Sequence, residues 1–290
     1  TEHQELRDRA IAGMNLDMIG EDFAQCQSTF NLTCSPYSVP GYINDVFANF
    51  LPWLEESVFF SPQGTRYRFD YRVKPFSGGS DHIMFNDSAF SVPTPMLGHG
   101  DVFHHTSLDT PEKCDPTEMK RIIALSEAVT ILLANADDED ALRIAREVHS
   151  QALLRMTERT RRSIQLLHQH ASDQSKRGKV TELYWNIISY PQVQGEIESA
   201  NLREVKELCR EEAGKAVIEE LVADLNRQIA REREKIDLVY ELFLSRYDLK
   251  KEQFIPHDTY NKASSLRPRR LFKGPFTWDY LREKLDEDSL

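Results

Sequence analysis

Asp17 and His105 each combine a metal-binding side chain with a local sequence suited to holding it. Asp17 lies in residues 14–20 (MNLDMIG), where a carboxylate ends an apolar, strand-like run. Burying a carboxylate there is costly unless it is paired or coordinated, and ligands of α/β proteins bind at the carboxyl ends of strands. Both facts favour a metal ligand. The alternative is an aspartate that caps the next turn, since a glycine and two acidic residues follow.

The second pattern is the pair His104 and His105, followed by Asp109. Imidazole is a common zinc ligand, and its second nitrogen usually needs an outer acceptor. Asp109 or a backbone carbonyl can accept that bond, although Asp109 can instead cap the threonine–proline turn after it. Adjacent histidines point in different directions, so one of the two is expected to bind a given metal. A surface or core role for the pair is the alternative.

The third pattern occupies residues 77–85 (SGGSDHIMF). Gly78 and Gly79 give the backbone freedom to turn, and Ser80 and Asp81 then stand at a predicted helix start. Such a turn can bring backbone amides and the Asp81 carboxylate close to a substrate. The alternative is helix capping by Ser80 or Asp81.

The elements around these motifs predict an α/β domain over residues 1–136, with a sheet flanked by helices. Apolar runs and alternation predict strands at 10–19, 29–33, 66–73 and 92–97. Helical spacing predicts a helix over 37–60, kinked at Pro52, and a helical start at 81–85.

Residues 137–290 predict an all-α domain, beyond a polar break at 135–140. Residues 115–118 (DPTE) start the last helix before that break, with Glu118 expected to reach back to the cap. That helix is expected to pack on the sheet through Met119, Ile122, Ile123, Val129, Leu132 and Leu133. Long helices over 142–167 and 202–247, with a shorter one at 181–190 ending before Pro191, predict a bundle or hairpin. The segment 271–281 is expected to fold back onto a core.

The net charge of −11 argues against nucleic acid as the main partner. Residues 267–270 (RPRR) form a local basic run beside an acidic tail. This pattern is typical of a cluster of solvated or helix-capping side chains. No apolar run approaches the ~20 residues that cross a bilayer, so no membrane span is expected. Cys26 and Cys34 are either bridged, which would imply an oxidising compartment, or two free thiols.

Together, residues 15–20, 79–85 and 105–112 resemble the co-catalytic di-zinc aminopeptidase family. That family includes secreted bacterial leucyl aminopeptidases, glutamate carboxypeptidase and, more distantly, glutaminyl cyclases. The order and approximate separations of the motifs match its C-terminal half, over about residues 8 to 135. The resemblance implies part of a phosphorylase/hydrolase-like sheet, and a hydrolase that removes N-terminal residues from peptides.

The resemblance also implies roles for single residues. In the family, two zinc ions share a bridging aspartate and activate a water for attack on the scissile carbonyl. Asp17 matches the terminal carboxylate ligand of one zinc, and His105 the terminal imidazole ligand of the other. Asp81 matches a supporting or substrate-facing position. His104 stands where the family often has a tyrosine that donates to the oxyanion.

The departure from the family is an absence. Its His-x-Asp motif and Glu-Glu pair precede the strand that carries Asp17, and here Glu2, His3 and Glu5 do not reproduce them. Each zinc would keep one recognised protein ligand, where a catalytic zinc has about three. We therefore expect weak metal binding, no activity from the isolated chain, and a missing N-terminal half as its partner.

Two other functions fit the same residues. One is a non-catalytic, peptidase-like scaffold that binds a protein partner through its helices. The other is a glutaminyl cyclase-like enzyme, which shares the metal ligands. The helical domain is expected to act as a lid, a spacer or an arm for a homo-oligomer. Family habit favours a periplasmic or secreted protein, with a cytoplasmic one as the alternative.

Overall fold

The computed structural model describes residues 9–57, 59–251 and 266. This part of the chain divides into two compact units, with the division between Asn135 and Ala136. The first unit contains a small mixed sheet with helices, and the second contains helices only in its described residues. The chain is therefore a mixed α/β unit followed by a helical one.

The sheet of the first unit has four strands. They are β1 (Asn15–Leu16), β2 (Phe30–Thr33), β3 (Tyr71–Lys74) and β4 (Met96–His99), in the spatial order β1-β4-β2-β3. β4 runs parallel to β1 and antiparallel to β2, and β2 runs parallel to β3. β1 and β3 are thus the two edges of the described sheet.

Three α-helices complete the described part of this unit: α1 (Ile43–Glu56), α2 (His82–Phe85) and α3 (Pro116–Asn135). α1 is shorter at both ends than the helix predicted over 37–60, but it contains Pro52, and it packs against α3. The core is apolar and is formed by Phe30, Leu32, Phe47, Leu51, Leu54, Leu97, Ile122, Leu125 and Val129. Their burial removes apolar surface from water, which is the main stabilising contribution in such a unit.

The predicted strand over residues 10–19 is wrong in extent, because β1 has two residues. The amides of Gly13 and Asn15 donate to the carbonyls of Pro93 and Pro95, at 3.0 and 2.9 Å. Proline has no N–H, so neither proline returns a hydrogen bond. The same missing donors explain why β4 begins at Met96 rather than at residue 92.

The predicted role of Glu118 at the start of α3 is also wrong. Asp115 does cap this end, since its Oδ1 accepts from the amide of Thr117 at 2.9 Å. Glu118 turns into the protein instead of reaching back, and its side chain is wholly buried. Met119 and Ile123 were expected to pack on the core, but 40% and 43% of each is exposed.

The second unit contains α4 (Asp138–Ser172), α5 (Val180–Ile187), α6 (Tyr190–Glu204) and α7 (Glu212–Tyr247). α4 packs against α6 and α7, and α6 packs against α7. One end of the unit has an apolar core made by Leu167, Ala171, Val180, Tyr184, Ile187, Ile188, Ile236, Tyr240, Phe243 and Leu244.

The single helix predicted over 202–247 is broken at residues 209–211. Asp138 explains the break, because its Oδ1 accepts from the amides of Arg210 and Glu211 at 3.1 and 3.0 Å. This carboxylate caps the start of α7 from another helix, which the local sequence does not reveal. Pro191, expected beyond a helix end, lies in the first turn of α6.

Two further expectations concern the whole chain. The segment 271–281 lies outside the described residues. Within the described ranges, the helices are all too short or too polar to cross a lipid bilayer.

Candidate functional site

Asp17 directly follows β1, at a point where the pairing with β4 shifts. Its amide donates to the carbonyl of Leu97 at 3.1 Å, but the next amide of β4, that of His99, donates to Met18 at 2.8 Å. One residue is thereby inserted in β1, and Met18 adopts the left-handed region with φ of 58°. This is the geometry of a β-bulge, which re-aims a side chain at a sheet edge. A Cβ at Gly98 would overlap the carbonyl oxygen of Asp17, so the approach requires glycine.

His104 and His105 lie in the loop that follows β4. Both are exposed, and their rings stack on each other with centroids 3.6 Å apart. His105 has a φ of 60°, in the left-handed region. Asp109 is exposed in the same loop, and within the described residues no hydrogen bond joins it to either imidazole. The expected outer acceptor is therefore not engaged in this arrangement.

The topology gives the first and second motifs a common location. β1 and β4 are adjacent and parallel, so their carboxyl ends lie side by side at the same end of the sheet. Asp17 and the loop that carries His104 and His105 both follow the carboxyl ends of these two strands.

The third motif is joined to β1 by a side-chain hydrogen bond. Asn15 Nδ2 donates to Ser80 Oγ at 2.6 Å. Asp81, the next residue, stands at the N-terminus of α2 and is exposed, and its side chain makes no capping bond. Its carboxylate is therefore not engaged as a helix cap.

The residues present do not form a complete zinc site. Nowhere in residues 9–57 and 59–251 do three side chains of histidine, cysteine, aspartate or glutamate converge as ligands of one ion. Asp17 and His105 supply one carboxylate and one imidazole, whereas a catalytic zinc uses about three protein ligands. The arrangement offers one carboxylate and one imidazole after the carboxyl ends of β1 and β4, and further ligands are required to bind a metal.

The sequence analysis did not predict a buried charged network near Asp17, formed by Glu21, His99, Glu118 and Arg121. His99 ends β4 with its side chain fully buried, and its Nδ1 donates to the carbonyl of Met18 at 3.1 Å. Glu21 Oε2 lies 3.5 Å from that nitrogen, and Glu118 Oε2 lies 3.7 Å from His99 Nε2. Arg121 pairs with Glu118. His99 therefore holds the carbonyl of Met18, the residue after Asp17.

Arg121 anchors the network to the rest of the unit. Its NH2 group donates to the carbonyl of Tyr67 at 2.7 Å, and the guanidinium lies over the rings of Phe60 and Phe69. The sequence contained one indication of this, since Glu118 and Arg121 stand three residues apart on α3.

Burial controls the titration of the groups beside the network. It raises the pKa of Glu21, and it raises the pKa of the Cys26 thiol to about 11, with Asp101 adding to the effect. Burial also raises the pKa of Cys114. Thiols of this kind stay protonated at neutral pH and are poor nucleophiles. No disulfide joins Cys26 to Cys34, so that predicted alternative is not formed.

The site thus combines an aspartate on a bulge, an exposed histidine pair and a buried charged network that bonds to the carbonyl of Met18. Its geometry suits ligand binding after the carboxyl ends of β1 and β4. Neither Cys26 nor Cys114 is an activated thiol. Compared with known proteins, the chain matches no family model, no curated protein and no solved structure.

Proposed function

We propose that this chain is part of a zinc-dependent, aminopeptidase-like hydrolase that cleaves N-terminal residues from peptides. Its sheet would be the C-terminal part of a phosphorylase/hydrolase-like sheet. The observation that supports this most is the parallel pairing of β1 with β4, because Asp17 and the His105 loop then follow neighbouring carboxyl ends of the sheet. The order of the three motifs in the sequence supports it as well.

Within this proposal, Asp17 and His105 each supply one ligand to a different zinc ion. The remaining ligands and the general base come from the missing N-terminal half, so the isolated chain is inactive. His104 is the candidate donor to the oxyanion, and Asp81 has a supporting or substrate-facing role. The chain itself contributes positioning, because the bulge at Met18 and the His99 contact fix the backbone beside Asp17.

The test joins the chain to the upstream segment of its own gene product and measures hydrolysis of an aminoacyl-anilide with zinc added. We expect activity from the joined protein and none from the chain alone. Asp17→Ala and His105→Ala should each reduce activity by more than ~100-fold, since even outer-sphere partners of metal ligands cost about 10–100-fold.

Glu127→Ala and His170→Ala are the matched controls, because Glu127 is exposed, His170 is half-buried and neither belongs to the three motifs. They should leave the activity unchanged. An inactive joined protein, or activity that survives both Asp17→Ala and His105→Ala, would contradict the proposal. A joined protein that instead cyclises an N-terminal glutamine would identify the cyclase alternative.

A second function, a non-catalytic scaffold that binds a protein partner, is favoured by the exposed leucines of the long helices. Leu154, Leu238 and Leu242 are each about 60% exposed. This function predicts that the upstream segment lacks both the His-x-Asp motif and the Glu-Glu pair. In that case the helices would carry the interaction, including a homo-oligomer. Export to the periplasm or exterior follows from the resemblance alone, since no disulfide joins Cys26 to Cys34.

A further inference from the structure

β3 is an edge strand with an unusual concentration of positive charge. Residues 66–74 alternate basic and aromatic or apolar side chains (RYRFDYRVK), with four basic residues and one acidic. The whole chain has a net charge of −11, so this stretch opposes the overall balance. The basic residues are all exposed and are Arg66, Arg68, Arg72 and Lys74.

The backbone of β3 bonds to β2 through every second residue. The amide of Phe30 donates to Asp70 at 3.1 Å, and the amide of Cys34 donates to Lys74 at 2.9 Å. In this parallel register the N–H and C=O groups of Tyr71 and Val73 point away from β2. In the part of the chain that the structure describes, these groups have no backbone partner. Within the described ranges, the edge therefore presents donors and acceptors at Tyr71 and Val73 that no other strand uses.

The side chains along the edge are accessible as well. Arg72 and Lys74 form no ion pair with any described residue, and Val73 is 51% exposed. Arg68 pairs with Glu55, yet 82% of its side chain remains exposed. A cavity of about 530 Å³ opens at the start of the strand, lined by Glu55, Arg68, Phe69, Asp70 and Tyr71.

We propose that the outer edge of β3 is a docking site for an acidic polypeptide segment in extended conformation. The segment adds to the sheet as a strand, with its backbone bonded to Tyr71 and Val73. Its carboxylates, at alternate positions, lie beside Arg72 and Lys74, since directly opposite residues on one face have Cβ atoms about 5 Å apart. This is recognition by strand addition, with charge selecting the partner.

The free backbone groups favour a polypeptide over a nucleic acid. A phosphate backbone could use the four positive charges but has no alternating donors to pair with the carbonyls of Tyr71 and Val73. An extended peptide uses the charges and the backbone groups together. The proposal does not depend on the peptidase function, because β1 and β3 are opposite edges of the sheet.

The test uses an end-blocked, labelled peptide of eight residues that alternates glutamate and threonine, with fluorescence anisotropy as the readout. We expect it to bind the full chain, and the matching lysine–threonine peptide to bind at least ~10-fold more weakly. Arg72→Glu/Lys74→Glu should weaken binding of the acidic peptide by at least ~10-fold, and more salt should weaken it too. The control Arg146→Glu/Lys250→Glu makes the same charge change on exposed residues of the helical unit.

A second variant tests the backbone contact. Val73→Pro removes an outward N–H and leaves the bonds of Arg72 and Lys74 to β2 in place. It should weaken binding, while hydrogen exchange on the unchanged protein should show new protection at the amides of Tyr71 and Val73. Circular dichroism confirms that each variant is folded.

Three results would overturn the proposal. One is equal binding of the acidic and basic peptides. Another is equal weakening by Arg72→Glu/Lys74→Glu and by its control. The third is a single strand of eight uridines that binds more tightly than the acidic peptide and depends on Arg72 and Lys74, since the surface would then bind nucleic acid.

Discussion

At the scale of residues, the charged network beside Asp17 is held by one cation. Its buried polar atoms without a hydrogen-bond partner among the described residues include Glu21 Oε2, His99 Nε2, Glu118 Oε2 and Arg121 Nε. An unsatisfied buried polar atom costs about 1–3 kcal/mol. The pairing of Glu118 with Arg121 is therefore what makes the buried carboxylate tolerable.

Arg121→Met should reduce the free energy of unfolding of the α/β unit by about 3–5 kcal/mol, because Glu118 would stay buried without its cation. Urea unfolding followed by circular dichroism measures this. The double variant Arg121→Met/Glu118→Leu removes both charges and should recover most of the loss. A double variant no more stable than Arg121→Met would show that the ion pair is not the cause.

Residue types revealed the candidate ligands, but their surroundings could not be predicted. Asp17 and His105 were visible because a carboxylate and an imidazole stand in distinctive short motifs. Glu118 was misinterpreted because a glutamate three residues after a cap has the same local sequence whether it reaches back or turns inward. Its choice depends on His99 and Arg121, which meet it only in the folded chain.

At the scale of elements, the sequence predicted which segments form helices and strands better than where they end. Periodicity identified β2 and α4, since their apolar residues follow one face. It failed at β1, whose length depends on partners without N–H groups, and at α7, whose start depends on Asp138. Both misses come from bonds between segments far apart in the sequence.

Asp138→Ala should destabilise the helical unit by about 1 kcal/mol, the usual cost of losing a capping carboxylate. The amides of Arg210 and Glu211 would lose their acceptor, so the first turn of α7 should fray. Hydrogen exchange at the start of α7 and urea unfolding measure the two effects. Glu139→Ala is the control, as its exposed ion pair with Arg143 is worth only a few tenths of a kcal/mol. Equal effects of the two variants would contradict this cap.

At the scale of the whole molecule, the two units are expected to respond to acid in different ways. In the helical unit, hydrogen bonds lower the pKa of several carboxyls, and bonds from Arg161 and Arg162 lower that of Glu158 to about 2. The others are Asp173, Glu212, Glu219 and Glu232, whereas burial raises the pKa of Glu204 in the same unit. In the α/β unit, burial raises the pKa of Glu21, whereas that of Glu112 is lowered by its bond with Thr110.

A carboxyl with a lowered folded pKa stabilises the fold above its unfolded value, 4.5 for glutamate, and this contribution is lost as the pH falls. Glu21 has the opposite sign, since its contribution is present below 4.5 and is lost as the pH rises through its folded pKa. We therefore predict that acidification from neutral pH to about 2 weakens the helical unit more than the α/β unit.

One-tryptophan variants separate the two transitions. One variant keeps only Trp53, which reports on the α/β unit, and the other keeps only Trp185, which reports on the helical unit; the other two tryptophans are replaced by phenylalanine in each. The urea midpoint reported by Trp185 should fall further on acidification than that reported by Trp53. Glu21→Gln removes a contribution that offsets the loss, so the midpoint at Trp53 should then fall further on acidification. The exposed Glu56→Gln should leave that fall unchanged. Midpoints that fall together would contradict the prediction.

The prolines that face β1 also restrict which strand can occupy its place. Pro93 and Pro95 present carbonyls without amides, so a strand at this position can give hydrogen bonds but receives none in return over that stretch. An invading segment from another molecule would meet the same one-sided surface and gain little by displacing β1. Strand exchange between copies through β4 is thereby disfavoured. We expect any domain swapping to involve β3, the opposite edge strand of the sheet.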